Sequence, residues 1–299
     1  MPRPTRADIR RRASAANHPV TVQEAASAPS AGKAGRNLPA AVLVAVVLMA
    51  TIVLSMVIHP VGFLILASIA SLVALSELRA AFKRANSDIA YPICAVGALG
   101  ILVCAYQLGL EAAFISFYVA LGAAMVWHLV SGVSARQTLR NIAVSAFALG
   151  YVPLLVSFAV LMLVRGGPMA VIVFMLLPIG NDTGGYFAGV LKGKHPIAPS
   201  ISPKKSWEGF AGSVAATLLI GVVGMHLLGA AWWWGIIVGL LSAVTATTGD
   251  LAESLLKRDL GLKDMGNILP GHGGVMDRLD SLLVTAPACY LVMNFALGW

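Results

Sequence analysis

Runs of about 18 to 25 apolar residues, each long enough to cross the roughly 30 Å hydrocarbon core of a bilayer as a helix, recur about nine times in this chain. They fall near 38–58, 60–78, 91–109, 112–130, 141–164, 169–188, 210–229, 231–248 and 281–298. Backbone amides find no water inside a bilayer, so a spanning segment must satisfy its own hydrogen bonds, and a helix does so within one run. The predicted fold class is an all-α polytopic membrane protein with about nine transmembrane helices. Of the 299 residues, 58% are hydrophobic and 11% charged, which sets the chain apart from soluble globular enzymes. The first two runs nearly touch at His59-Pro60, and Gly229-Ala230 divides the seventh from the eighth, so both joints read as tight hairpins.

The cations orient the chain. If the N-terminus is cytoplasmic, every Lys and Arg except Arg165 falls in an inside segment, as the positive-inside rule expects. The C-terminus is then outside, and Trp232, Trp233, Trp234 and Trp299 fall at the outer interface. Residues 1–37 hold Arg3, Arg6, Arg10, Arg11, Arg12, Lys33 and Arg36 among Ala, Ser and Pro, and read as a disordered basic cytoplasmic tail. Two further regions follow. Residues 38–168 form N-terminal transmembrane helices, and 169–299 form a transmembrane region with two cytoplasmic polar loops, 189–209 and 249–280. Cys94, Cys104 and Cys289 sit in apolar runs without metal-site spacing and read as small hydrophobes.

The second polar loop concentrates the chemistry. Asp250 to Ser281 carries Asp250, Glu253, Asp259, Asp264, Asp277 and Asp280, nearly half of the chain's 13 acidic residues, with Lys257, Arg258, Lys263 and Arg278. Helical spacing puts Asp250, Ser254, Lys257 and Arg258 on neighbouring turns of one face, and Asp277 and Asp280 on another. Between them Pro270-Gly271-His272-Gly273-Gly274 cannot continue as ordinary helix, and its glycines let backbone N–H groups approach an anion. Magnesium takes one or two protein carboxylates and completes its shell with water and substrate phosphate. Asp250 and Asp277, with Asp280 nearby, suit it. Lys257, Arg258 and Arg278 suit the remaining phosphate oxygens, and His272 suits a phosphate contact or a loop-organising role.

The first polar loop begins inside a span, where the carboxylate of Asp182 is costly unless it faces a cavity or partner. Asn181-Asp182-Thr183-Gly184-Gly185 leads into Gly193-Lys194-His195 and then Ser202 to Gly209, where Lys204 and Lys205 are placed to hold a triphosphate or a lipid phosphate. Glu77, beside Arg79 at the inner end of the second run, reads as a local ion pair or interface residue.

Ser254-x-x-Lys257-Arg258, Lys263-Asp264 and Pro270-Gly271-His272-Gly273-Gly274-x-x-Asp277-Arg278-x-Asp280-Ser281 resemble the signature of the phosphatidate cytidylyltransferase (CDP-diacylglycerol synthase) family. The blocks Asp182 to Phe187, Gly193 to His195 and Ser202 to Gly209 are also similar to that family, with Ser206 where Thr is common. The resemblance covers about 178–299. It implies an integral enzyme of the cell inner (plasma) membrane, multi-pass, with its site facing the cytoplasm, acting in phospholipid biosynthesis. Its partners would be CTP, phosphatidic acid, membrane lipids and a second copy in a homodimer, with no nucleic acid. The products are CDP-diacylglycerol and pyrophosphate.

The implied cofactor is Mg2+, held by Asp250, Asp277 and Asp280, with K+ as a monovalent companion. Asp250, Asp277, Lys257, Arg258 and Arg278 form the expected catalytic set. Ser254, Lys204, Lys205, His272, Gly273 and Gly274 form the phosphate-binding set, and Asp182 is a further member. A CTP-dependent lipid kinase would use comparable residues but transfer the γ-phosphate. A secondary transporter would account for Asp182 in a Gly-interrupted span. An intramembrane aspartyl protease using Asp182 and Asp250 would leave the cations unexplained.

Overall fold

The computed structural model describes residues 38–266, 268 and 273–299, so the tail 1–37 and His272 lie outside the described residues. Among the described residues nine α-helices follow in order: α1 (Leu38–Ile58), α2 (Pro60–Arg84), α3 (Tyr91–Leu108), α4 (Leu110–Leu129), α5 (Ala135–Leu149), α6 (Leu155–Lys192), α7 (Trp207–Leu227), α8 (Trp232–Asp259) and α9 (Met276–Leu297). Seven helical segments among the described residues are long and apolar enough to cross a membrane. The chain is a polytopic helical membrane protein. Its one departure from an all-helical plan, among the described residues, is an antiparallel hairpin of β1 (Pro196–Ala198) and β2 (Ser202–Ser206), which pairs Pro196 with Ser206 and Ala198 with Ser202.

Helix ends follow local chemistry. Pro60 occupies the first turn of α2, where a missing N–H costs nothing; the His59 side chain accepts from Val61 N–H at 3.2 Å, and Lys83 and Arg84 complement the dipole at the far end. Ala135–Lys192 runs as one segment of 58 residues. Pro153 has no N–H to continue the α pattern, and a five-residue π turn, Gly150–Leu154, joins α5 to α6. Within α6, Gly167 adopts φ 70° and ψ −172° and breaks the helix into two arms. The following Pro168 favours such a break, since it disfavours helical geometry at the residue before it.

The arms of α6 form the centre of the fold, with Val160, Leu161, Met162, Ala170, Val171 and Leu177 at most 1% exposed. α6 packs against α2, α3, α7, α8 and α9. With 28 residues, α8 is about 42 Å long against a hydrocarbon core of about 30 Å. Its last turns, carrying Asp250 to Asp259, therefore extend beyond the apolar layer. The polar segment that reads as one loop is thus helical at both ends: Asp250, Glu253, Lys257 and Arg258 sit on α8, and Asp277, Arg278 and Asp280 on the first turns of α9.

A separate polar cluster joins the α2–α3 connection to α5. Arg79 binds Asp88 through Nε at 2.9 Å and Nη2 at 3.3 Å, and Asp88 N–H donates to Asn141 Oδ1 at 3.0 Å. Ser145 Oγ accepts from Ala90 N–H at 3.2 Å and meets His128 Nε2 at 2.9 Å. Arg79 therefore pairs with Asp88 instead of Glu77.

Candidate active site

The site forms where α8 crosses α9. A Cβ at Gly249 would lie 2.6 Å from the Asp280 carbonyl oxygen and 3.1 Å from Ser281 Cα, so glycine there is what allows the two helices to touch. One residue further, Asp250 faces Asp280, and Glu253, one turn along α8, completes a triad whose carboxylate oxygens lie within 4.8 Å of one another. Glu253 is 1% exposed. Its Oε2 accepts from Lys257 Nζ at 2.7 Å, while its buried Oε1 has no hydrogen-bond partner among the described residues. Asp280 Oδ1 accepts from Ser281 N–H at 2.7 Å, and Asp250 pairs with Lys205 of β2. Three hard oxygen donors, one of them unsatisfied in a buried position, suit a small divalent cation such as magnesium.

Asp277 stands beside this triad with a different set of partners. Its Oδ1 accepts from Lys257 Nζ at 2.9 Å, and its Oδ2 from Met265 N–H at 2.9 Å and Gly274 N–H at 2.8 Å. It ties the 260–275 connection to both helices. Gly273 has φ +78°, and a Cβ at Gly274 would fall within 2.7 Å of both Glu77 carboxylate oxygens. Gly273 and Gly274 thus lie close to carboxylates of the protein itself, Asp277 and Glu77. Glu77, 4% exposed, accepts from Val275 N–H at 3.0 Å and Met276 N–H at 2.8 Å, occupying the N-terminal donors of α9 with a carboxylate.

Asp182 is positioned by its neighbour. Asn181 Nδ2 donates to Asp182 Oδ1 at 3.2 Å. Asn181 is in turn held by Ser213 Oγ of α7, which donates to its carbonyl at 2.6 Å, and by Thr247 Oγ1 of α8, 3.3 Å from Oδ1. The hairpin is fixed from below. Ser206 Oγ caps α7 by accepting from Gly209 N–H at 3.1 Å, and Glu208 accepts from the amides of Lys194 and His195 at 3.1 and 3.2 Å. Arg258 Nε donates to the Ile201 carbonyl, which closes the end of α8 onto the hairpin.

Two cavities meet here. A cleft of about 310 Å³ is lined by Asn181, Asp182, Lys204, Lys205, Ser213 and Asp250 among others. A second cavity of about 720 Å³ has Lys257, Asp277, Arg278 and Asp280 at one end and apolar side chains such as Leu48, Ile69 and Met175 at the other. Asp182 and Asp250 line both. Of the residues singled out from sequence, Asp182, Lys204, Lys205, Asp250, Lys257, Asp277, Arg278 and Asp280 therefore converge on adjoining space. Ser254 is half-buried on α8 and lines neither cavity, and Gly273 and Gly274 line neither. Glu253, Glu77 and Asn181 join the site through the fold, without a sequence motif that marks them for it.

The family model described as "Cytidylyltransferase family" matches residues 39–296. The phosphatidate cytidylyltransferase of Mycobacterium bovis is 35% identical over 280 residues, covering 89% of this chain and 92% of that protein. That of Mycobacterium leprae is 36% identical over 279 residues, 88% of this chain and 89% of its own. The phosphatidate cytidylyltransferase of Helicobacter pylori is 42% identical over 134 residues, 44% of this chain and 50% of that one.

Proposed function

The chain belongs to the cytidylyltransferase family, and we propose that it transfers CMP from CTP to phosphatidic acid, forming CDP-diacylglycerol and pyrophosphate. The observation that carries this reading is the meeting of two unlike cavities at Asp182 and Asp250. The lysine-lined cleft suits a triphosphate. The cavity with a charged mouth and an apolar far end suits a lipid with an anionic headgroup. A bisubstrate reaction needs its reacting groups brought together, and holding them in line accounts for much of the rate.

In the proposed mechanism a phosphatidate oxygen attacks the α-phosphorus of CTP, and the bond to the bridging oxygen of pyrophosphate breaks. The nucleophile is already anionic at neutral pH, so no general base is required. Lys204 and Lys205 hold the triphosphate, Arg258 orders the hairpin that carries them, and Arg278 draws the lipid phosphate to the polar mouth. Lys257, between Glu253 and Asp277, limits repulsion within the acidic cluster and orients both carboxylates. Asp250, Glu253 and Asp280 would hold Mg2+, with Asp277 fixing the connection around them. Bound there, the ion supplies Lewis-acid stabilisation of phosphate charge. A monovalent companion such as K+, and a phosphate contact from His272, belong to the same proposal.

The topology follows from the cations. Counting α1 as a span and the two arms of α6 as separate spans gives nine crossings, with the N-terminus and both polar segments cytoplasmic, the C-terminus outside, and the enzyme in the cell inner membrane as a homodimer. The test uses purified protein with phosphatidic acid, Mg2+ and CTP labelled at the α- or γ-phosphate. We expect α-label in the lipid and released pyrophosphate. Lipid labelled from the γ-position, with CDP left over, would make the protein a lipid kinase instead.

A further inference from the structure

Beside the cavity proposed for the lipid lies a smaller recess of about 120 Å³, and every side chain lining that recess is apolar, among them Phe63, Ala67, Ala159, Val171, Phe174 and Ala286. The two spaces share Ile52, Leu66, Ala70, Met175, Leu279 and Leu282. The two spaces therefore adjoin along a common wall, with Asp280 and Arg278 on the polar side and Phe63 and Val171 on the inner side. Along α6, Asp182 to Val171 is about 16 Å, and along α2, Glu77 to Phe63 is about 21 Å. Either length compares with the half-thickness of a hydrocarbon core of about 30 Å.

We propose that this recess holds one acyl chain of the lipid substrate, so that its walls set which chain lengths are accepted. The inference rests on the phosphatidate reading above. Adjacency to the headgroup end selects the occupant: a chain attached to a phosphate held by the polar mouth has this recess beside it, across shared side chains. A bilayer is as apolar as the recess, so moving a chain from one to the other brings little hydrophobic gain. The recess therefore acts through shape, discriminating between chains without contributing much affinity. Ala67, Ala159 and Ala286 leave the space open, being small and no more than 8% exposed. Phe63 and Val171 close its far end.

The experiment compares dioctanoyl and dioleoyl phosphatidic acid as acceptors of label from [α-32P]CTP in mixed micelles. Ala159→Leu should lower kcat/KM for the long-chain lipid by about tenfold relative to the short one, the scale on which a pocket discriminates by a methylene or more. Phe63→Leu should shift the same ratio the other way. An unchanged ratio in both variants would overturn the proposal.

Photocrosslinking of the wild-type protein gives a second readout that does not depend on a variant's folding. A phosphatidate with a diazirine at one acyl terminus should label Phe63, Val171 or Phe174. Labelling confined to membrane-facing residues such as Leu54 and Ile65, 55% exposed each, would place the chain in the bilayer and overturn the inference. The two readings fail separately. Crosslinking in the recess without any α-label transfer would end the cytidylyl-transfer reading, whereas transfer with exterior crosslinks would end only this one.

Discussion

Two polar clusters lie in this membrane protein, and they are built on opposite principles. In the cluster of Arg79, Asp88, Asn141, Ser145 and His128, donors meet acceptors within the protein: Asp88 answers Arg79, Asn141 answers the Asp88 amide, and Ser145 answers both Ala90 and His128. In the cluster of Asp250, Glu253 and Asp280, three carboxylates crowd together and Glu253 Oε1 is left buried without a partner among the described residues. Buried polar groups in folded proteins are overwhelmingly hydrogen-bonded, so an exception calls for a specific cause. The first cluster holds helices together. The second leaves a buried oxygen unsatisfied among three carboxylates, which fits the proposed cation site.

That contrast is sharpest at the triad. Asp280→Asn and Glu253→Gln remove negative charge from the proposed cation site while preserving shape, and each is expected to lower kcat/KM by about 10³-fold or more. The Mg2+ concentration for half-maximal rate should rise in the same variants. Cytidylyl transfer at near wild-type rates and unchanged Mg2+ dependence in both would remove the triad from the site. Asp277→Asn ranks next, at an expected loss of about 10²-fold, with a different signature. An amide offers one acceptor where Asp277 uses two, so either Lys257 or the pair of amides from Met265 and Gly274 meets an NH₂ group. A buried donor left without its acceptor costs about 1–3 kcal/mol. The 260–275 connection should then become more sensitive to limited proteolysis, while triad variants keep the wild-type cleavage pattern.

How far the sequence anticipates these features depends on the range over which they are encoded. Apolar runs and the restriction that a bilayer places on backbone amides suffice for a helical membrane fold, because both act within one segment. Asp250 and Asp280 stand out because charges at the edge of an apolar run are costly. Glu253 hides because it has a sound local reading as the i,i+4 partner of Lys257, which it also is; only the close crossing at Gly249 makes it a neighbour of Asp280. Glu77 is harder still, since its partners Val275 and Met276 lie nearly 200 residues away. One local signal was available. Glu77 and Arg79 are two positions apart, and residues at that spacing do not face each other on a helix, which argues against the local ion pair that their adjacency suggests. The β1–β2 hairpin escapes because its strands are three and five residues long, too short for alternation to register.

Glu77→Gln tests the long-range link between the N-terminal helices and α9. The amide keeps one acceptor for Val275 or Met276 and loses the charge that complements the helix N-terminus. Losing such a cap typically costs about 0.5–2 kcal/mol, and the expected outcome is a thermal midpoint several degrees lower with activity reduced about tenfold or less. Activity loss as large as that of Asp280→Asn, with an unchanged midpoint, would move Glu77 into the reacting centre.

The smallest effect belongs to Asp88→Asn, which probes the satisfied cluster. Burial raises the Asp88 pKa, but the hydrogen bond and charge of Arg79 outweigh it and hold the carboxyl below its usual value. A depressed folded-state pKa contributes stability above the unfolded pKa of about 3.9 and loses it as pH falls through the folded value. The side chains are 35% and 41% exposed, so solvent screening limits the pair to about 0.2–1 kcal/mol. The variant should therefore be slightly less stable than wild type at pH 7, converge with it as the pH drops below about 4, and transfer cytidylyl groups at the wild-type rate throughout the pH range where both are folded. A loss of transfer comparable to that of Asp277→Asn would erase the distinction between the two clusters.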